Sequence, residues 1–166
     1  MAESASPQPI FCDEFEHKLD SAWRVVLPKD WRSFQVTEFY VTQSSASSGV
    51  AALRVLTRAD WEEHCESLKR DPELQANKTK LYDLLEQLSA GSKRVVPDKE
   101  GRLVIPEALW RKIGVNPETN DKVTLRGCYH SFRIWNSKVL KEYEDAKAAI
   151  QKFEGKRETP QERLGI

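Results

Sequence analysis

Apolar positions along this chain alternate between a spacing of two residues and a spacing of three to four, and each change of spacing marks an element. Phe11, Phe15, His17 and Leu19 share one side of a period-two pattern, which predicts a half-buried strand. A turn from Asp20 then leads into a second strand over 25–27. Residues 34–41 and 51–56 read as strands on either side of a polar loop at 44–49, so a hairpin is the economical arrangement. Thr57, three residues before Asp60, opens a helix in which Trp61, Cys65 and Leu68 form one apolar stripe. Asp71-Pro72 starts a further helix whose Leu74, Leu81, Leu84, Leu85 and Leu88 can share a face before Ala90-Gly91 ends it.

The second half follows the same order. Residues 98–102 form a charged turn with Gly101 available for positive φ, and Leu103-Val104-Ile105 is a β-prone run that Pro106 ends as a ladder donor. Pro106 suits the first position of a helix, Leu109, Trp110 and Ile113 recur at helical spacing, and Gly114 stands where a C-cap belongs. Val123 and Leu125 alternate with polar neighbours, residues 127–131 turn the chain, and Phe132 and Ile134 return along a partner strand. Ser137 is placed to cap a last helix with Val139, Tyr143, Ala146, Ile150 and Phe153 on one stripe and Gly155 beyond it.

Residues 19–32 lie over 97–111, with Asp20, Arg24, Pro28, Trp31 and Arg32 matching Asp98, Arg102, Pro106, Trp110 and Arg111. The offset is 78 positions through the proline and 79 at the Trp-Arg pair. It is again 79 where Leu53-Arg54-Val55-Leu56 lies over Phe132-Arg133-Ile134-Trp135. One offset held across separate elements indicates internal duplication.

A length of 166 residues suits one ordinary domain, or two units that would be marginal apart. Two half-units sharing a core fit better. The division expected is a disordered N-terminus at 1–9, a first unit at 10–70, a connecting helix at 71–91, a second unit at 92–153 and a mobile tail at 154–166. A charged fraction of 31% and the lack of any long apolar run read as a soluble protein without a membrane span. The N-terminus has neither a basic start nor an apolar core, so a cytoplasmic location is expected. Cys12, Cys65 and Cys128 are widely separated and odd in number, which argues against a disulfide framework or a structural zinc site.

The net charge of zero counts against a polyanion-binding protein, but its distribution is uneven. Residues 17–32 and 92–102 each carry a net +2, whereas 58–73 carry −3. Basic charge therefore gathers on the two matching turns, as expected if one face meets a polyanion, although solvated turns would give the same pattern.

The phrase from Phe11 through Asp20, the paired Asp-x-x-x-Arg turns and the Arg133-Ile134-Trp135 ending resemble the bacterial MraZ proteins over roughly 11–150. The resemblance implies an α+β fold of two pseudo-symmetric swapped-hairpin units, of the AbrB and SpoVT kind, sharing a small β-barrel core with peripheral helices. It also implies a nucleoid-associated regulator that binds double-stranded DNA at tandem repeats in the promoter of the division and cell-wall gene cluster and assembles into a homo-oligomeric ring. The family's first turn usually reads Asp-x-Lys-Gly-Arg, whereas this chain has Asp20-Ser21-Ala22-Trp23-Arg24. The change removes a phosphate partner and makes positive φ costly there, so this turn could prefer a different DNA sequence or meet protein instead.

On this basis Arg24 and Arg102 are the expected principal DNA contacts, because a guanidinium suits guanine O6 and N7 as well as phosphate. Lys18, Lys93, Arg94 and Lys99 would hold the backbone. Asp20 and Asp98, with Gly101, are expected to shape the turns and orient the arginines; closing a turn could also be the whole purpose of each Asp-Arg pair. His17, His64 and His130 near Cys65 and Cys128 make a Cys-His site conceivable, but no third ligand or orienting acid stands at a recognisable spacing. Nucleotide, zinc-protease and hydrolase motifs are absent, so neither an enzyme, a cofactor nor a metal is expected. The alternatives are an AbrB-fold interaction or antitoxin-like module without strong DNA binding and, more remotely, a hydrolase on an unrelated α+β fold. Trp23, Trp31, Trp61, Trp110 and Trp135 read as core or hinge residues before base-stacking ones, and only Trp23, at a turn tip, stands where a ligand could be reached.

Overall fold

Strand and helix follow the apolar spacing closely in the computed structural model, which describes residues 7–45, 50–119, 121–154 and 159–165. In chain order the elements are β1 (Glu14–Lys18), β2 (Arg24–Val26), α1 (Lys29–Arg32), β3 (Phe39–Ser45), β4 (Ala51–Thr57), α2 (Arg58–Arg70), α3 (Pro72–Ala76) and α4 (Lys78–Gly91). The second half supplies β5 (Lys93–Val95), β6 (Arg102–Val104), α5 (Glu107–Lys112), a 3-10 turn (Pro117–Thr119), β7 (Lys122–Cys128), β8 (Ser131–Asn136), α6 (Ser137–Glu154) and α7 (Pro160–Leu164). The Thr57 hydroxyl accepts the Asp60 amide at 3.2 Å and caps α2 as its sequence predicts. The leucine-rich arm is two helices rather than one. Asn77 leaves the helical region and caps α4 through the Lys80 amide, while Asp71 caps α3 through the Glu73 and Leu74 amides.

The strands form a six-stranded antiparallel sheet ordered β1-β7-β8-β4-β3-β5 and a separate ribbon of β2 with β6. That order is palindromic in the two halves. The hairpins β3-β4 and β7-β8 meet at the centre, and each half's leading strand, β1 or β5, adds to the hairpin of the other half. Residues matched by the sequence offset pair directly across the centre, Arg54 with Arg133 in the sheet and Val25 with Leu103 in the ribbon. A pseudo-twofold axis therefore passes through both.

Strand alternation sorts side chains between two faces of the sheet. One face, with Phe39, Val41, Leu53, Val55, Val123, Leu125, Phe132 and Ile134, packs with Val25 and Leu103 of the ribbon and with Trp31 and Trp110 of the short helices in a single buried cluster. On the other, Ala52 and Trp135 meet Leu140 of α6, and Tyr40 stacks on Trp61 of α2 at 4.8 Å. The expected β-barrel does not close. After β1 and β5 the chain leaves the sheet through the turns at Asp20 and Asp98, so those two strands stay at its edges and the ribbon covers the core as a lid.

Several local expectations shift. The strand expected over 34–41 starts only at Phe39, because the turn after α1 uses residues 33–38, with Gln35 at φ +53°. Ser44 and Ser45 continue that strand, and the rest of the expected loop, 46–49, lies outside the described residues. Gly127 belongs to β7 rather than to a turn. A Cβ there would come 2.3 Å from the Phe11 carbonyl oxygen, so the absent side chain admits the N-terminal segment, and Tyr129-His130 make the turn. Asn136, not Ser137, caps α6, its Oδ1 accepting the Lys138 and Val139 amides at 3.1 and 3.4 Å. The α6 stripe is covered only in its first half, and Phe153 is 96% exposed. Residues 1–6 of the expected disordered start, and 155–158 with 166 of the expected mobile tail, lie outside the described residues; 160–164 are helical.

Candidate nucleic-acid interface

Each Asp-x-x-x-Arg stretch folds into the same hydrogen-bonded loop. Asp20 Oδ1 accepts the Ala22 and Arg24 amides, both at 2.9 Å, while Oδ2 takes Arg24 Nε at 2.7 Å. In the second half Asp98 Oδ1 accepts the Glu100 and Arg102 amides at 3.0 and 2.8 Å, and Oδ2 takes Arg102 Nε at 2.6 Å. One carboxylate thus closes the loop and fixes the guanidinium by the same contacts. Partial burial pushes the Asp20 carboxyl up, but hydrogen bonds from the Arg24 amide and guanidinium and from Ala22 outweigh it and hold the group below its ordinary value. Asp98 is held below its ordinary value chiefly by the Arg102 amide, then by that residue's guanidinium and the Glu100 amide. Arg102 is raised first by Asp98, with smaller contributions from Glu100 and from Asp20 across the ribbon, so the two loops lie within each other's field.

The two loops differ in one respect. Arg102 also pairs with Glu100 through Nη2 at 3.2 Å, whereas Arg24 has only Asp20 as an ion-pair partner among the described residues. Among the described residues, neither terminal nitrogen of Arg24 has a hydrogen-bond partner.

The register of the ribbon decides which way these arginines face. Arg24 stands opposite Val104 and Val26 opposite Arg102, while Val25 and Leu103 between them are fully buried. The four flanking side chains therefore project from the outer side of the ribbon, with the arginines on one diagonal.

Positive φ occurs in both loops at the residue before the arginine, +59° at Trp23 and +75° at Gly101. Tryptophan thus adopts the left-handed conformation that its sequence makes costly, and its surroundings account for this. The ring packs partly against the core, its carbonyl accepts Trp110 Nε1 at 3.4 Å, and the Arg111 guanidinium lies 5.9 Å from the ring centroid. Trp23 is thus a half-buried packing residue in its loop. The matching Arg32 lies across Gly101, where a Cβ would come 2.2 Å from its Cδ, and donates through Nη1 to the Glu100 carbonyl at 3.2 Å. The helix after each ribbon strand therefore buttresses the loop of the other half, and Leu27 N bonds Gly101 O at 2.9 Å in the same sense.

Of the remaining cations singled out in the sequence, Lys99 is exposed at the tip of the second loop and Lys18 at the end of β1, two residues before Asp20. Neither forms an ion pair with the described residues. Lys93 and Arg94 lie farther off, on edge strand β5, and Arg94 is paired with the half-buried Glu38, which also holds Arg58 at 3.5 Å. Arg32, Arg111, Val26 and Val104 were not singled out. The matched Trp-Arg pairs already marked the first two, and nothing short of the ribbon register marked the valines.

Among the described residues no group of three or more His, Cys, Asp or Glu side chains could hold a metal ion, and no helix is long and apolar enough to cross a membrane. His17 and His64 are both pushed below the ordinary histidine value, by burial first and, for His64, by Arg54 as well.

No protein-family model matches the chain. Curated proteins do. It is 28% identical over 127 residues to a transcriptional regulator MraZ of Pediococcus pentosaceus, covering 76% of this chain and 81% of that one. A namesake from Leuconostoc mesenteroides is 27% identical over 134 residues, 81% of this chain and 86% of its own, and one from Clostridium tetani is 26% identical over 137, covering 82% and 89%. Matches from separate organisms run through both halves, so along most of its length this chain is similar to MraZ transcriptional regulators.

Proposed function

We propose that this protein regulates transcription by binding double-stranded DNA through the outer face of the β2-β6 ribbon. The observation that carries the reading is the pair of arginines, each held by its own aspartate and both presented from one side of a two-stranded antiparallel ribbon. The major groove of B-DNA admits such a ribbon, and a guanidinium with its Nε already engaged can still offer its terminal nitrogens to guanine O6 and N7 or to phosphate. Lys18 and Lys99, beside the loops, would anchor the backbone; Lys93 and Arg94 would contact it farther along, Arg94 only by giving up Glu38.

The relatives' name supports transcriptional regulation, and the resemblance to MraZ proteins is what suggests a swapped-hairpin, AbrB-like arrangement and tandem promoter repeats of the division and cell-wall cluster as the target. A few cations per molecule hold DNA weakly at physiological salt, so assembly into a ring on repeated sites would raise affinity by about two to four orders of magnitude. A protein of this kind acts in the cytoplasm at the nucleoid.

Titrating a labelled duplex from upstream of the gene with the parent, Arg24→Ala and Arg102→Ala proteins at several salt concentrations tests this. Each substitution should weaken binding and lower the salt slope by about one. Undiminished affinity in both variants rejects the interface, and a flat salt response in the parent favours an acidic protein partner instead.

A further inference from the structure

Two aliphatic side chains share the arginine face. Val26 is 39% and Val104 56% exposed, although Val25 and Leu103 beside them are fully buried. The register places Val104 across from Arg24 and Val26 across from Arg102, so guanidinium and isopropyl groups occupy alternate corners of one small surface. Directly opposed side chains on such a ribbon have Cβ atoms about 4.5–5.5 Å apart. That is on the order of one to two base steps along a DNA strand.

We propose that Val26 and Val104 recognise thymine through its 5-methyl group, each beside a guanine held by the arginine across the ribbon. This rests on the DNA-binding reading above and adds a sequence preference to it. In the major groove a base edge offers hydrogen-bond donors, acceptors and, on thymine alone in unmodified DNA, a methyl group. Valine can satisfy neither donor nor acceptor, so its one favourable contact there is that methyl. A cytosine amino group in the same place would lose its water without gaining an acceptor, which discriminates against it. The pseudo-twofold axis through Val25 and Leu103 places the two arginine-valine pairs in opposite senses, so the preferred sequence carries its guanine-thymine elements on opposite strands.

Selection of random duplexes on the full-length protein, followed by replacing each thymine of the best duplex in turn with deoxyuridine, tests the proposal. The selected sequence should hold thymine next to or one base from guanine. Loss of a contacted methyl should weaken binding about fourfold, and Val26→Ala and Val104→Ala should each abolish that penalty at one position. Val26→Thr and Val104→Thr keep the β-branch, and unchanged circular dichroism in all four variants separates lost contact from a lost ribbon. Deoxyuridine duplexes bound as tightly as the thymine parent, or alanine variants that keep the full penalty, overturn the proposal while leaving DNA binding intact. If no duplex is enriched at all, the DNA-binding reading fails and this one with it.

Discussion

Single residues set limits that the surrounding elements must accept. His17 sits in β1 with its Nε2 buried and without a hydrogen-bond partner among the described residues. Burial holds its pKa below 6.5, so the folded protein keeps the ring neutral while the unfolded chain takes up a proton near 6.5. Its contribution to stability is therefore complete above that value and is lost as pH falls below it. His64, lowered by burial and by Arg54, adds in the same direction. The loop carboxylates Asp20 and Asp98 are also depressed, from 3.8, so they weaken the fold only in stronger acid. Urea titrations should show stability falling between pH 7.5 and 5.5, and His17→Leu should make that decline shallower; an unchanged slope would remove His17 as a cause. The aspartate-arginine spacing was legible in the sequence because a carboxylate four residues before an arginine meets it across a tight loop. The fate of Trp23 was not, because what holds it in the left-handed conformation comes from a helix in the other half.

At the scale of elements, the central strands carry a local conflict. Arg54 and Arg133 face each other across β4 and β8 on the side of the sheet away from the ribbon, with Arg126 next in the row. Arg126 is neutralised by Glu14 and Glu144, whereas neither of the other two has an ion-pair partner among the described residues, and Arg133 Nε is buried without an acceptor. Like charges directly opposed on neighbouring strands are destabilising. Arg54→Thr, which puts a strand-favouring β-branched side chain in β4, should therefore raise stability by about 0.5 kcal/mol in denaturant melts. It should also raise the His64 pKa by removing a nearby positive charge. Element type was readable from apolar spacing, as were some ends, among them Thr57 before α2 and Gly91 closing α4, while others were not. Asn77 splits the leucine arm and Asn136 takes the cap from Ser137 because side-chain acceptors competed locally for the same amides.

For the whole molecule, the sequence offset pointed to two matching halves and the resemblance implied swapped hairpins, while the strand pairings give the interlock residue by residue. Leading strands β1 and β5 cross to the opposite hairpins, and the ribbon takes one strand from each half. Neither half can then complete a sheet or bury Val25 and Leu103 on its own. Segments 1–91 and 92–166 produced separately should lack cooperative thermal unfolding, and mixing them should restore it along with native-like circular dichroism; a half that melts cooperatively alone would contradict this. The basic segments recognised in the sequence were sorted by the same topology. It puts Arg24 and Arg102 on the ribbon and Lys99 in the second loop, and Lys18, Lys93 and Arg94 on the edge strands β1 and β5.

Arg32 rests on Gly101 and Arg111 on Trp23, each reaching over from the opposite half. A mutation in one half of the gene can therefore surface as a defect in the tip encoded by the other. Recombination that exchanged a single half with a distant relative would import a tip and leave its prop behind, so the two halves are free to diverge only in step.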